Sequence, residues 1–113
     1  MQIEVRSRDA EMPAEIRARA AWKLQLALAR FGDRIASIKL SFTDVNGPKG
    51  GVDKTCRVVV RGRDAWSVVV SEQDADPYAL IERAGDRVGQ AVRRTIARRR
   101  EHEKVAIPSR RAA

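Results

Sequence analysis

Aromatic side chains are scarce in this chain, 4% of its residues, and cysteine and histidine occur once each. A single thiol, Cys56, excludes an intramolecular disulfide and fits a reducing compartment. A single imidazole, His102, excludes a histidine-based triad and a metal site built from several histidines. No run approaches the roughly 18 apolar residues of a membrane span, and the first residues carry no apolar signal stretch. The expectation is a soluble, cytoplasmic protein. With so few rings, the core must come from Val, Ile, Leu and Ala, with Trp22, Phe31, Phe42 and Trp66 as its few large pieces.

What the chain does have is positive charge. Its 113 residues suffice for one compact domain, and they carry a formal charge of +8 with an isoelectric point near 10.7. The excess is concentrated: residues 93–111 hold eight basic residues against Glu101 and Glu103. Arginine outnumbers lysine heavily, and guanidinium pairs bidentately with phosphate and stacks on bases where ammonium does not. Nucleic acid is therefore favoured over a generic acidic protein as the partner.

Met1, Ile3 and Val5 alternate with Gln2, Glu4 and Arg6, the period of a strand with one buried face. Three further alternations fall on Ile38, Leu40 and Phe42, on Cys56, Val58 and Val60, and on Trp66, Val68 and Val70. Between the first two strands, Ile16, Ala20, Leu24, Ala27, Leu28 and Phe31 recur at helical spacing, with Pro13 suited to the first helical position and Gly32 as a stop. Asp76 and Pro77 read as the cap and first residue of a second helix that meets no breaker until about Glu103. The order is β-α-β-β-β-α. It predicts an α+β domain: a four-stranded mixed sheet with both helices on one face, the first two strands parallel and the last three an antiparallel meander. The domain is set at residues 1–104, with a basic, flexible tail over 105–113. Without its first strand the order is that of a double-stranded-RNA-binding domain.

At about 100° per residue, Ile81, Ala84, Gly85, Val88, Val92 and Thr95 form the sheet-facing stripe of the second helix. Arg83, Arg87, Arg94 and Arg98 form a second row beside it, and Glu82 and Asp86 project elsewhere, so the row is expected to go without local neutralisation. The first helix carries Arg19, Lys23 and Arg30 on one face, with Arg17 nearer its buried side. Packed side by side, the helices would offer one cationic surface about 20 to 30 Å long, given a 1.5 Å rise per residue. The plainer alternative is a solvated flank. Trp22 lies off the apolar stripe, near Leu26. It is expected to pack against the second helix, where Gly85 and Gly89 permit close approach; the alternative is an exposed ring that stacks on a base or meets a partner protein.

The stretch "NGPKGGVDKT", residues 46–55, resembles a phosphate loop, but Asp53 stands before Lys54 where glycine belongs, and a strand rather than a helix follows. It is expected to be a turn, with Lys49 and Lys54 as accessory contacts to an RNA backbone. Glu72, Asp74 and Asp76 are assigned to turn formation and capping rather than to a metal-dependent nuclease. Cys56 falls on the apolar side of its strand, where a thiol is inert. No enzyme, cofactor or metal is indicated.

Particular residues now join the order of elements. The opening "MQIEVRSRD", the helix "PAEIRARAAWKL", the run "VVVRGRDAWSVVVSEQDADPYALIERAGDRV" and the continuation "QAVRRTIARRR" resemble, in order, the short form of the HPF/YfiA (RaiA) family of bacterial ribosome-associated hibernation factors. Coverage is about residues 1–103, and Asp76, Tyr78 and Ile81 match a D-x-Y-x-x-I signature at the last helix. "NGPKGGVDKTCRV" looks like the loop between the second and third strands in one branch of that family.

The resemblance implies a domain lodged between the head and body of the small ribosomal subunit, touching its rRNA, overlapping the mRNA and tRNA positions and holding translation idle. By position, the family's rRNA contacts map onto Arg17, Arg19 and Lys23 and onto Arg87, Arg93 and Arg94. With the charge rows, the expected rRNA-binding set is Arg17, Arg19, Lys23, Arg30, Arg83, Arg87, Arg93, Arg94 and Arg98. Departures from the family pattern are Gln90, Trp22, Gly85 and Gly89. The expected partners are the small ribosomal subunit and its rRNA, with no membrane and no small-molecule substrate, and a monomer off the ribosome. Because the resemblance is to the short form, the second domain of long-form members is not expected. Two alternatives stand beside this reading: a general double-stranded-RNA binder, and an adaptor that docks on a protein through Trp22 and Leu26.

Overall fold

The computed structural model describes the backbone of residues 1–7, 12–44 and 54–112, and side chains within those stretches as far as Glu101. Strand β1 spans Gln2–Ser7, helix α1 Ala14–Leu28, followed by a 3-10 segment Ala29–Arg34, and strands β2, β3 and β4 span Ile35–Asp44, Lys54–Gly62 and Ser67–Asp74. Helix α2 runs Pro77–Ala112, past the end near Glu103 read from the sequence. The sheet order is β1-β2-β3-β4, with β1 parallel to β2 and the other two pairs antiparallel. This is the expected topology.

Alternation along each strand sends one set of side chains to the helices. Ile38, Leu40 and Phe42 from β2, Cys56, Val58 and Val60 from β3, and Val68 and Val70 from β4 are buried there. A register shift between Ile35 and Ser37 also turns Ile35 inward, so β2 begins its buried face earlier than strict alternation suggests. Helix α1 contributes Ala20, Leu24 and Leu28, and α2 contributes Leu80, Ile81, Ala84, Val88, Val92 and Ile96. The α2 stripe is thus wider than expected, taking in Leu80 and Ile96, while Thr95 is only half-buried.

Local chemistry fixes the ends. Pro13 precedes the first turn of α1 rather than occupying it, and its carbonyl accepts from the Ile16 and Arg17 N–H groups. Asp76 caps α2: its Oδ1 accepts the Tyr78 N–H at 2.9 Å. The β3–β4 turn is held from outside. Arg63 N–H donates to the Arg34 carbonyl at 3.0 Å, and Arg99 Nη2 donates to the Asp64 carbonyl at 2.8 Å. Ala65 there sits at φ 63°, in the left-handed region. At the base of the turn, the buried Trp66 indole lies where a Cβ on Gly62 would be, so the position requires glycine.

Candidate nucleic-acid interface

The two helices lie side by side over one face of the sheet, and their seam is filled by a charged residue. Lys23 is 12% exposed: its stem lies against Gly85, where a Cβ would come within 2.6 Å of Lys23 Cγ. Its Nζ donates to Asp86 Oδ1 at 2.8 Å and lies 3.8 Å from Glu82. Arg19 reaches the same Glu82 at 3.7 Å. Further along, Gly89 faces Ala27.

This arrangement corrects two expectations. Trp22 does not pack against α2. Lys23 and Ala27 occupy the seam, and Trp22 stands 52% exposed on the outer side of α1 with the Arg19 guanidinium 4.8 Å from its ring centre. Nearby Leu26 is 61% exposed. Nor does the basic row of α2 go without local neutralisation. Arg83 Nε lies 2.9 Å from Glu72 and its Nη2 3.0 Å from Asp74, while Arg87 donates to the other oxygen of Glu72. Both arginines also donate to backbone carbonyls, of Gln73 and Ser71 respectively. The acids come from β4, directly beneath this flank of α2, and not from α2 itself.

These contacts lower the carboxyl pKa values. Glu72 is held below its ordinary value, chiefly by the hydrogen bond from Arg87, against the opposing effect of burial. Asp74 is lowered chiefly by the Asp76 N–H, then by Arg83. Burial, and then the charge of Glu72, push the Cys56 thiol up to about 12.

The expected RNA-binding residues therefore fall into distinct settings. Arg17 donates to the Val5 carbonyl, tying α1 to β1. Arg19, Lys23, Arg83 and Arg87 are engaged with carboxylates. Lys54 lies 3.8 Å from Asp44 across the β2–β3 pair, and Lys49 lies outside the described residues. Arg93, Arg94 and Arg98 are exposed and make no ion pair among the described residues. Arg30 makes none either, its guanidinium sitting 4.8 Å from the Phe31 ring centre.

The two rows do not merge along their whole length, because Glu82 and Asp86 neutralise the first half of the seam. Charge gathers instead beside the second half of α2, where Arg34 lies 3.8 Å from Asp64 and Arg30, Arg93 and Arg100 make no ion pair among the described residues. There Arg30, Arg34, Arg93 and Arg100 surround a shallow hollow of about 320 Å³ floored by Phe31, Ile96 and Ala97. Sequence reasoning misses Arg34, which stands alone between Asp33 and Ile35, and gives Arg100 no role although it stands in the basic run of residues 98–100. Among the described residues there is no group of three or more His, Cys, Asp or Glu that could hold a metal ion, and no helix long and apolar enough to cross a membrane.

A four-stranded mixed sheet with two helices on one face and cations gathered along the second is now in place, and similarity to known proteins gives it a family. The profile of the family described as Sigma 54 modulation protein / S30EA ribosomal protein matches residues 3–100, and the chain belongs to that family. The expectation drawn from the HPF/YfiA resemblance is thereby met. Among solved structures, the N-terminal domain of Protein Y from Thermus thermophilus is 29% identical, with a TM-score of 0.69 over 84% of this chain and 99% of that one. A ribosomal subunit interface protein from Coxiella burnetii has the same fold, at a TM-score of 0.70 and 16% identity, over 86% of this chain and 99% of its own. No curated protein matches the chain.

Proposed function

We propose that this protein binds small-subunit rRNA between the head and body of the subunit, occludes the mRNA and tRNA positions and so holds the ribosome idle. The observation that carries the reading is the group of arginines with no acidic partner among the described residues, Arg93, Arg94 and Arg98 along the second half of α2 and Arg30 in the 3-10 segment that follows α1. Cations without a protein counter-ion release bound counter-ions from RNA at the least desolvation cost, because no existing pair must be broken. Membership of the family described as Sigma 54 modulation protein / S30EA ribosomal protein supports a ribosomal partner for these cations. No bond is made or broken in this mechanism. The protein acts by occupying space, and electrostatics sets how tightly.

Sedimentation of the purified protein with small ribosomal subunits and with a generic RNA duplex, at low and moderate salt, tests the reading. Saturable one-to-one binding to subunits that outlasts duplex binding, and is lost in Arg93→Glu/Arg94→Glu, is the expected result. Equal binding to both RNAs would replace the ribosomal reading with that of a general duplex binder. Addition of the protein to a translation reaction should then lower output, and tRNA should compete for the subunit.

A further inference from the structure

The sheet face turned away from the helices carries a charge pattern that the helix-side reading does not use. Strand register places Arg57 of β3 between Ser41 of β2 and Ser71 of β4, and Arg61 between Ser37 and Ser67. Each arginine is thus the centre of a Ser-Arg-Ser row across three strands. Neighbouring strands lie about 4.8 Å apart, so each arginine rises from the sheet with a serine hydroxyl, a donor, on the strand at either side. The two rows are four residues apart along β3, about 13 Å at the rise of a strand.

Arg57 and Arg61 are both exposed and have no hydrogen bond or ion pair among the described residues. This separates them from the other cations of the face, since Glu4 lies 3.1 Å from Arg6 and 3.9 Å from Lys39. Both arginines, with Ser37, Ser41 and Ser71, line an open hollow of about 1010 Å³ whose other walls include Thr43, Thr55 and Val59 and, at the β1 side, the Glu4–Lys39 pair. No aromatic side chain lies in that lining, so the face offers phosphate donors without a platform for stacking bases. Guanidinium flanked by hydroxyls, repeated once, is chemistry for a phosphodiester backbone rather than for a base edge or an apolar partner.

We infer that the open sheet face is a second RNA-backbone site, centred on Arg57 and Arg61, and that one molecule can hold two RNA segments on opposite faces. This rests on the helix face being the first RNA site. The small hydroxyl residues keep the trough shallow enough for a backbone to reach the strand-centred guanidiniums. The site would read charge and spacing, not sequence.

The experiment uses the full chain and two short RNA duplexes carrying a donor and an acceptor dye. Titration is expected to show two RNAs bound per protein and energy transfer between the dyes. Arg57→Gln/Arg61→Gln should bind one RNA and lose the transfer, and in the wild type the second event should weaken with added salt, with a log–log slope to which these two arginines contribute about two. Arg93→Glu/Arg94→Glu should lose the first event and keep binding that depends on Arg57 and Arg61. Unchanged circular dichroism in each variant separates a lost site from a lost fold.

Retention of two bound RNAs and of energy transfer in Arg57→Gln/Arg61→Gln would overturn the inference. So would one bound RNA in the wild type with no change on removing these arginines, which would leave the helix-face reading intact. Displacement of the sheet-bound RNA by poly-glutamate at equal charge concentration would also overturn it, in favour of an acidic protein partner. Loss of all RNA binding in Arg93→Glu/Arg94→Glu would mean that the sheet face holds none.

Discussion

Arg83 and Arg87 share one carboxylate: Nε of Arg83 lies 2.9 Å from Oε1 of Glu72, and Arg87 donates to the other oxygen. Because the folded Glu72 titrates below its ordinary 4.5, its stabilising contribution is fully present above that pH. It is lost as the pH falls through the lower folded value. Glu72→Gln should therefore flatten the acid limb of a stability-against-pH curve below about pH 4.5, with Asp74, also lowered, retaining part of it. Urea unfolding from pH 3 to 7 measures this. The same change releases Arg87 from its carboxylate and leaves Arg83 paired with Asp74. RNA binding near neutral pH should tighten roughly two- to five-fold, the scale of one exposed pair at about 0.5 to 1 kcal/mol, and unchanged affinity would place Arg87 off the RNA.

Gly62 and Trp66 make a second coupled pair. The Gly62 N–H donates to the Trp66 carbonyl at 2.8 Å, and the indole covers the glycine where a side chain would start. Gly62→Ala forces the ring aside and should cost about 1 to 3 kcal/mol, the usual cost of overpacking. Thermal unfolding reads the loss. In Trp66→Ala, where the ring is gone, adding Gly62→Ala should cost much less, and equal costs in both backgrounds would show that the two residues are not coupled.

The contrast between these pairs explains what could be read from sequence. Four period-2 stretches and the Pro13 and Asp76 starts are local signals, and local signals determined the β-α-β-β-β-α order; the expected stop at Gly32 differs, since α1 ends at Leu28 and Gly32 lies within the 3-10 segment Ala29–Arg34. The pairing of Glu72 with Arg83 and Arg87 is not local, because it depends on which flank of α2 overhangs β4. Local signals accordingly assign Glu72 to a turn. Asp76 does cap α2, and Asp74 does accept the Asp76 N–H, but Glu72 serves the arginines. The Trp22 expectation failed for a related reason: a helix wheel shows two apolar sides but not that the stem of Lys23 fills the seam against Gly85. Arg57 and Arg61 were legible as outward positions of a strand, yet register was needed to bring the serines beside them.

Cys56 is expected to be chemically silent in the folded protein. It is fully buried, and its thiol is pushed up to about 12 by burial and by the nearby Glu72, so the reactive thiolate is almost absent at pH 8. A thiol reagent such as an aromatic disulfide should label it only on unfolding, and labelling against urea concentration should superimpose on the circular-dichroism transition. Rapid labelling of the native protein would mean that the sheet opens locally at β3.

The two tryptophans separate cleanly by exposure, 52% for Trp22 and 7% for Trp66. Native emission should contain a red-shifted component quenched by acrylamide and a protected blue one, and Trp22→Phe should remove the first alone. Trp22→Ala should cost less than about 1 kcal/mol, since an exposed cation–π contact with Arg19 is worth about 0.5 to 1. Trp66→Ala should cost about 3 to 5 kcal/mol, as for a buried ring. Trp22 then serves as a reporter of function. Small subunits that cover the outer side of α1 should shield it from acrylamide in proportion to bound protein. If Trp22 stays fully quenchable on saturated subunits, the RNA contacts lie with the second half of α2 and the sheet, and the Trp22–Leu26 surface is left facing outward on the bound ribosome, open to a protein partner.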